Sequence, residues 1–286
     1  MRPRRAEELA RSGLSIRSRF GDVDIPNPPT IAAATLRDPY DLILVSCKAY
    51  DLDSAADSFA PAVGPATAIL PVLNGMRHLD ALDARFGSGH VLGGQCLISS
   101  LLDAEGRILH VNDTHVLSYG ERDGRRSDRV EKIAATMADV RFEARLSDNI
   151  LQAMWDKWIF IAAFAGITCL MRASIGDIVT AGAADLASAI LDECAAIAAQ
   201  QGFKPSPASL ERSRAILTAP GSALTASMLR DLERGGRIEG DHIIGDLLRM
   251  KKESPLLRVA YAHLKAYEAR SLVRQVGNLV GNLRAE

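Results

Sequence analysis

Strand signals run through the first half of this chain and stop after Asn149, and that switch constrains the fold more than any other feature. Asp41-Leu42-Ile43-Leu44-Val45-Ser46-Cys47 is a continuous β-prone apolar run ending in polar residues, which predicts a central parallel strand covered on both faces. A helix from Leu52, a second strand at Thr67-Ala68-Ile69-Leu70-Pro71, a helix from Met76 to Phe86 and a third strand at Val91-Leu92-Gly93-Gly94 are expected to follow. Such βαβαβ alternation builds a doubly wound sheet. Around this core the patterning predicts a short hairpin over residues 13–26, turning at Gly21-Asp22. It also predicts an antiparallel hairpin of Arg107–Val111 and His115–Tyr119, a helix at 126–138 and a strand at 140–145. Beyond Asn149 only helices are expected: 149–171, 183–201, a segment from near Ser206, 222–234 closed by Gly235-Gly236, 239–250 and 256–275. The boundary is placed near 147–150, giving an α/β domain over 1–147 and an all-α domain over 148–286.

Composition narrows the partners. With 34 Lys+Arg against 35 Asp+Glu, no global field selects nucleic acid or an acidic membrane surface. Cys47, Cys96, Cys169 and Cys194 are widely spaced, which suggests neither a zinc site nor a disulfide framework, so no metal is expected and a reducing cytoplasm fits best. The longest charge-free run, Trp158 to Met171, is 14 residues, short of the ~20 that a membrane span needs. It reads as a buried helix. Arg2, Arg4 and Arg5 form a basic cluster that, taken alone, is a solvated chain end.

Several positions are placed for chemistry, each with a plainer reading beside it. Lys48 and Asn74-Gly75 lie just past the carboxyl ends of successive strands, the edge where open α/β sheets bind ligands. The plainer readings are a solvated loop lysine and a turn or helix cap. Lys157, between Trp155 and Trp158, is either a snorkelling lysine or an ammonium partly desolvated in a cleft, able to protonate an alkoxide as it forms. Glu239 and Asp241 open a helix, where carboxylates favour the dipole; a carboxylate there can instead orient a substrate hydroxyl and hold Lys157 charged. Ser227 reads as mid-helix, so it is a surface position or is kept for a ligand.

Taken in order, Lys48-Ala49-Tyr50-Asp51, Ile69-Leu70-Pro71-Val72-Leu73-Asn74-Gly75-Met76, Val91-Leu92-Gly93-Gly94, Trp155-Asp156-Lys157, Ser227-Met228-Leu229-Arg230-Asp231-Leu232 and Ile238-Glu239-Gly240-Asp241 resemble the ketopantoate reductase (2-dehydropantoate 2-reductase) family. The resemblance implies an NADP-binding Rossmann-like domain, a helical substrate and dimerisation domain with the site between the two, and NADPH-dependent reduction of 2-dehydropantoate on the way to pantothenate. By matching positions, Lys157 would be the general acid and Glu239 would hold the substrate hydroxyl. Ser227 would bind substrate, and Asn74 would sit where substrate and nicotinamide ribose meet. Lys48 would contact the cofactor, and Arg2 would read the 2′-phosphate. Helices of this length with apolar faces also suit a homodimer.

Two departures carry expectations. The family's Gly-x-Gly-x-x-Gly turn has no counterpart, since Gly87-Ser88-Gly89-His90-Val91-Leu92-Gly93 differs in spacing and precedes a strand. The Rossmann-like half is therefore expected to lack its first βα unit, which would leave apolar neighbours uncovered and cofactor binding weakened. Where the family commonly has asparagines one and two helical turns after the lysine, this chain has Ile161 and Ala165, which points toward a less polar 2-oxo substrate. The alternative to a reductase is a non-catalytic remnant, a helical oligomerisation or binding module.

Overall fold

A computed structural model describes residues 3–251 and 253–283; the expected cofactor contact Arg2 lies outside the described residues. The chain divides into two compact units, Met1–Leu73 with His78–Ile150, and Asn74–Arg77 with Leu151–Glu286. The short stretch Asn74–Arg77 thus belongs with the helices, although its neighbours on both sides belong to the α/β unit.

The α/β unit opens with helix α1 (Pro3–Ser12), where proline's fixed φ suits the first turn and Arg4 and Arg5 reach Glu8 at helical spacing, 3.0 and 3.2 Å away. Strands β1 (Leu14–Arg17) and β2 (Val23–Ile25) form the expected antiparallel pair, with Leu14 opposite Ile25. β3 (Leu42–Val45), helix α2 (Leu52–Phe59) and β4 (Ala68–Pro71) form a βαβ unit whose strands pair in parallel, in register from Leu42↔Ala68 to Val45↔Pro71. Helix α3 (Arg77–Phe86) leads back to Val91, which bridges Ile69 in parallel before the chain enters β5 (Gly93–Leu97). The strands β6 (Ser100–Leu102), β7 (Ile108–His110) and β8 (Val116–Gly120), helix α4 (Asp128–Thr136) and β9 (Glu143–Leu146) complete the unit. Its core joins Ala68, Leu70, Leu92, Leu117, Tyr119, Val130 and Ile133.

Two expectations fail here. β3 is not covered on both faces: among the described residues it pairs only with β4, and Leu44 stays 52% exposed. The apolar run was read correctly as a parallel strand, but among the described residues it is an edge strand in a two-stranded sheet. Residues 107–119 are not a hairpin either. β7 pairs with β1 in parallel and β6 in antiparallel, whereas β8 pairs with β5 and β9 in another sheet. The reason is burial and loop chemistry. All five residues of β8 are buried, so the strand needs a neighbour on each side. The intervening Asn112 side chain accepts from Ser99 N–H at 2.7 Å and donates to Thr114, which fixes a sheet-changing loop in place of a tight turn.

The helical unit is built on α5 (Ile150–Met171), apolar around its whole circumference and hence a core helix. It is long and apolar enough by composition to cross a membrane, but 61% of its most apolar window is buried inside the protein. Around it lie α6 (Ile175–Thr180), α7 (Ala184–Gln200), α8 (Pro207–Leu217), α9 (Ser227–Glu233), a π-helical turn (Asp241–Gly245) running into α10 (Asp246–Met250), and α11 (Pro255–Leu283). Local signals place the starts. Ser174 and Asp177 form a reciprocal capping box on α6, and Ser206 caps α8 ahead of its first-turn proline. Trp158, Ile159, Ile167, Ile190, Leu191, Ile244, Leu247 and Leu264 are among the side chains closing the core.

The helix expected at 222–234 starts only at Ser227. Residues before it are held extended because Ser222 and Leu224 carbonyls accept from Gly176 and Ile175 N–H, satisfying the start of α6. Ser227 is therefore the first residue of its helix, and exposed, not mid-helix as its context suggested.

Candidate active site

Lys157 stands on α5, half-buried, between two tryptophans whose rings lie 4.8 Å apart. Trp155 stacks on Phe203, and Gln152 bonds Asp156 at 2.8 Å and the Phe203 carbonyl at 3.4 Å, which fixes this turn of the helix. The Trp158 indole N–H donates to the Ile243 carbonyl at 2.9 Å, and Ile243 N–H donates to the Glu239 carbonyl at 2.9 Å. Two bonds therefore connect the residue beside Lys157 to the backbone of Glu239. The Glu239 residue is 8% exposed, too buried for a mere solvent-facing cap.

Asp241 lies in the first turn of the helical segment as expected, and its carboxylate also faces α11. It accepts from the Tyr261 hydroxyl at 2.6 Å and from Lys265 at 3.0 Å. Burial, the largest influence on its carboxyl, raises the pKa, yet these hydrogen bonds hold it below the usual range. Asp241 is thus a structural anion.

Asn74 and Gly75 approach the same π-helical turn. A methyl group on Gly75 would sit 3.1 Å from the His242 ring and its backbone oxygen, and φ is +79° there, so only glycine fits. The His242 ring donates to the backbone of Asn74 and feels the Glu239 charge; both favour protonation, but burial dominates and lowers its pKa. His242 Nδ1 lies 3.2 Å from the buried Asp246 carboxylate, on which Arg249 and, at 3.8 Å, Arg77 also converge.

Lys157, Glu239 and Asn74 are therefore all positioned within the helical unit. Ser227 belongs to that unit on an exposed helix start, and Lys48 belongs to the α/β unit, half-buried at the turn after β3. His242 and Asp246 were not singled out from the sequence. Their spacing of four, directly after Glu239-Gly240-Asp241, is the signal that would have found them.

The positions one and two helical turns after the lysine are apolar. Ala165 is 3% exposed in the helical core, and Ile161 packs against that core. Cys169 and Cys194 are also buried, and burial pushes the Cys169 thiol up to about 12, so neither serves as a nucleophile.

At Gly87 and Gly89 a Cβ would meet no atom, so neither glycine is required there by a close approach of other protein atoms.

A Rossmann-like half followed by a helical half that carries a lysine and a buried glutamate is the plan of a pyridine-nucleotide-dependent oxidoreductase. The model of the ketopantoate reductase PanE/ApbA family matches residues 1–124, and that of its C-terminal domain matches residues 149–268. An uncharacterized oxidoreductase of Bacillus subtilis (strain 168), YkpB, is 35% identical over 274 residues, covering 94% of this chain and 90% of its own. A 2-dehydropantoate 2-reductase of Archaeoglobus fulgidus is 30% identical over 214 residues, 74% of this chain and 70% of the relative. The crystal structure of 2-dehydropantoate 2-reductase from Methylococcus capsulatus superposes with a TM-score of 0.80 at 27% identity, covering 93% of this chain and 87% of that one. The chain belongs to the ketopantoate reductase family.

Proposed function

We propose that the protein reduces 2-dehydropantoate, or a related 2-oxo acid, to the 2-hydroxy product with NADPH, as a cytoplasmic step of pantothenate biosynthesis. The observation that carries this reading is the half-buried Lys157, tied through Trp158 and Ile243 to the buried Glu239 in a chain of this family. Bound NADPH would supply the hydride, with Lys48, Asn74 and, through the 2′-phosphate, Arg2 as its contacts. As negative charge builds on the carbonyl oxygen, the Lys157 ammonium stabilises it and then passes it a proton. Glu239 accepts a hydrogen bond from the substrate hydroxyl, which fixes the face presented to reduction. Asn74 donates its side-chain amide to the oxo acid, and Ser227 contributes a hydroxyl.

The apolar Ile161 and Ala165 favour a variant of the same reading, in which the substrate is a less polar 2-oxo acid. Losing a hydrogen bond to a charged group costs about 1.5–3 kcal/mol, enough to reorder substrates. The test is oxidation of NADPH, and separately of NADH, by the purified protein with 2-dehydropantoate and with a graded set of branched 2-oxo acids. Highest kcat/KM on 2-dehydropantoate supports the pathway assignment, and a preference for an apolar acid supports the variant. No turnover of any 2-oxo acid, with no rise in melting temperature at saturating NADPH, would sink both, because a ligand specific to the native state must stabilise it.

A further inference from the structure

The π-helical turn Asp241–Gly245 does something that the roles above leave out. A π-helical turn is a costly local geometry, and its residues often serve a site. Here the widened turn directs His242 onto the Asn74-Gly75 backbone, with Gly75 shaved to hydrogen so that the two backbones can meet. Asp246, one turn further on and 4% exposed, has a carboxylate oxygen 3.2 Å from His242 Nδ1. Arg249 and Arg77 share that carboxylate, so the buried anion is compensated by guanidinium charge even while the imidazole is neutral. Arg77 also ends the Asn74–Arg77 stretch that groups with the helices, and Met76 packs against their core.

We propose that His242 is a positioning residue: packed against Gly75, with the Asp246 carboxylate beside its Nδ1, it holds the Asn74-Gly75 turn against the Glu239 segment and so sets where the Asn74 side-chain amide is presented to substrate. The role is distinct from acid–base work, since Lys157 already supplies the proton. The proposal rests on the reading of Asn74 as a substrate contact, and the experiment separates the two.

Wild type, His242→Ala, His242→Asn and Asp246→Asn would be compared in the full chain by two measurements. The first is the side-chain amide resonance of Asn74 in ¹⁵N-labelled protein without ligand, assigned with Asn74→Asp. Expected is a shifted or broadened Asn74 resonance in His242→Ala, a smaller shift in Asp246→Asn, and recovery in His242→Asn, which restores a donor near the ring's position. The second is the kinetics of the 2-oxo acid, where His242→Ala is expected to raise KM about tenfold and change kcat less, with His242→Asn recovering most of the loss. An Asn74 resonance unmoved in His242→Ala, or in Asp246→Asn where the alanine variant does not fold, overturns the proposal. A moved resonance with an unchanged KM leaves the positioning intact and overturns the role of Asn74 instead. A wild type inactive on every 2-oxo acid removes the substrate reading, and the resonance still decides whether His242 holds Asn74.

Discussion

At the scale of single residues, Lys157 carries the sharpest expectation. It is half-buried on a helix whose core is closed by its apolar neighbours, so its truncation should spare the fold. Lys157→Ala is expected to lower kcat by about 10²–10⁴-fold, the usual worth of a positioned acid, while the urea midpoint moves little. Unchanged turnover would exclude Lys157 from the proton transfer. Ile161 carries the specificity expectation: Ile161→Asn should lower KM for 2-dehydropantoate relative to an apolar 2-oxo acid of similar size. A constant ratio would mean that this position does not read the substrate. Lys157, Glu239 and Asn74 could be singled out in sequence because each sits in a short motif that resembles the family's. His242 and Asp246 were not singled out, because their spacing of four is a weak signal by itself and gains meaning only when the turn they share is seen to approach Gly75.

At the scale of elements, the parallel strands, the core helix and the caps were readable, since each is written in a local period or a single capping residue. The errors came where one strand pattern allows two partners. β7 and β8 alternate well enough for a hairpin, and only the complete burial of Val116–Gly120 shows that β8 is central to its own sheet. Ser227 was misplaced for a related reason: the backbone of residues 222–225 serves α6, a long-range demand that no propensity reports. The same logic yields a prediction at the joint between α5 and the π-helical turn. Trp158 is 1% exposed and its indole N–H serves the Ile243 carbonyl. Trp158→Phe removes that donor and leaves a smaller ring, which should cost about 1–3 kcal/mol of stability in urea titration. A loss below about 0.5 kcal/mol would show that the indole bond contributes little to holding the Glu239 segment.

At the scale of the whole molecule, the two units should respond to acid in different pH windows. In the helical unit, burial lowers the pKa of His242 and of His263 below 6.5, with nearby arginines adding to the effect at both. The unfolded chain then binds more protons than the folded one as pH falls below 6.5, so this unit is fully stable above that value and loses stability on the way down toward the folded pKa values. In the α/β unit the sensitive group is Glu121, with a side chain 5% exposed. Burial, the largest influence, raises its pKa, but the two hydrogen bonds from Arg129 and one from Ser127 outweigh it and hold the carboxyl below 4.5. Its contribution is present above 4.5 and is lost only as pH falls through the lower folded value. Amide hydrogen exchange across a pH series, corrected for intrinsic rates, should therefore show peptides of α5 and α7 losing protection before those of β8 and α4. His242→Asn combined with His263→Asn should flatten the first window, and Glu121→Gln should flatten the second while weakening the α/β unit at neutral pH, because Arg129 then faces a neutral amide. Simultaneous loss of protection in both units, unaltered by these substitutions, would mean that the units unfold as one and that acid acts elsewhere.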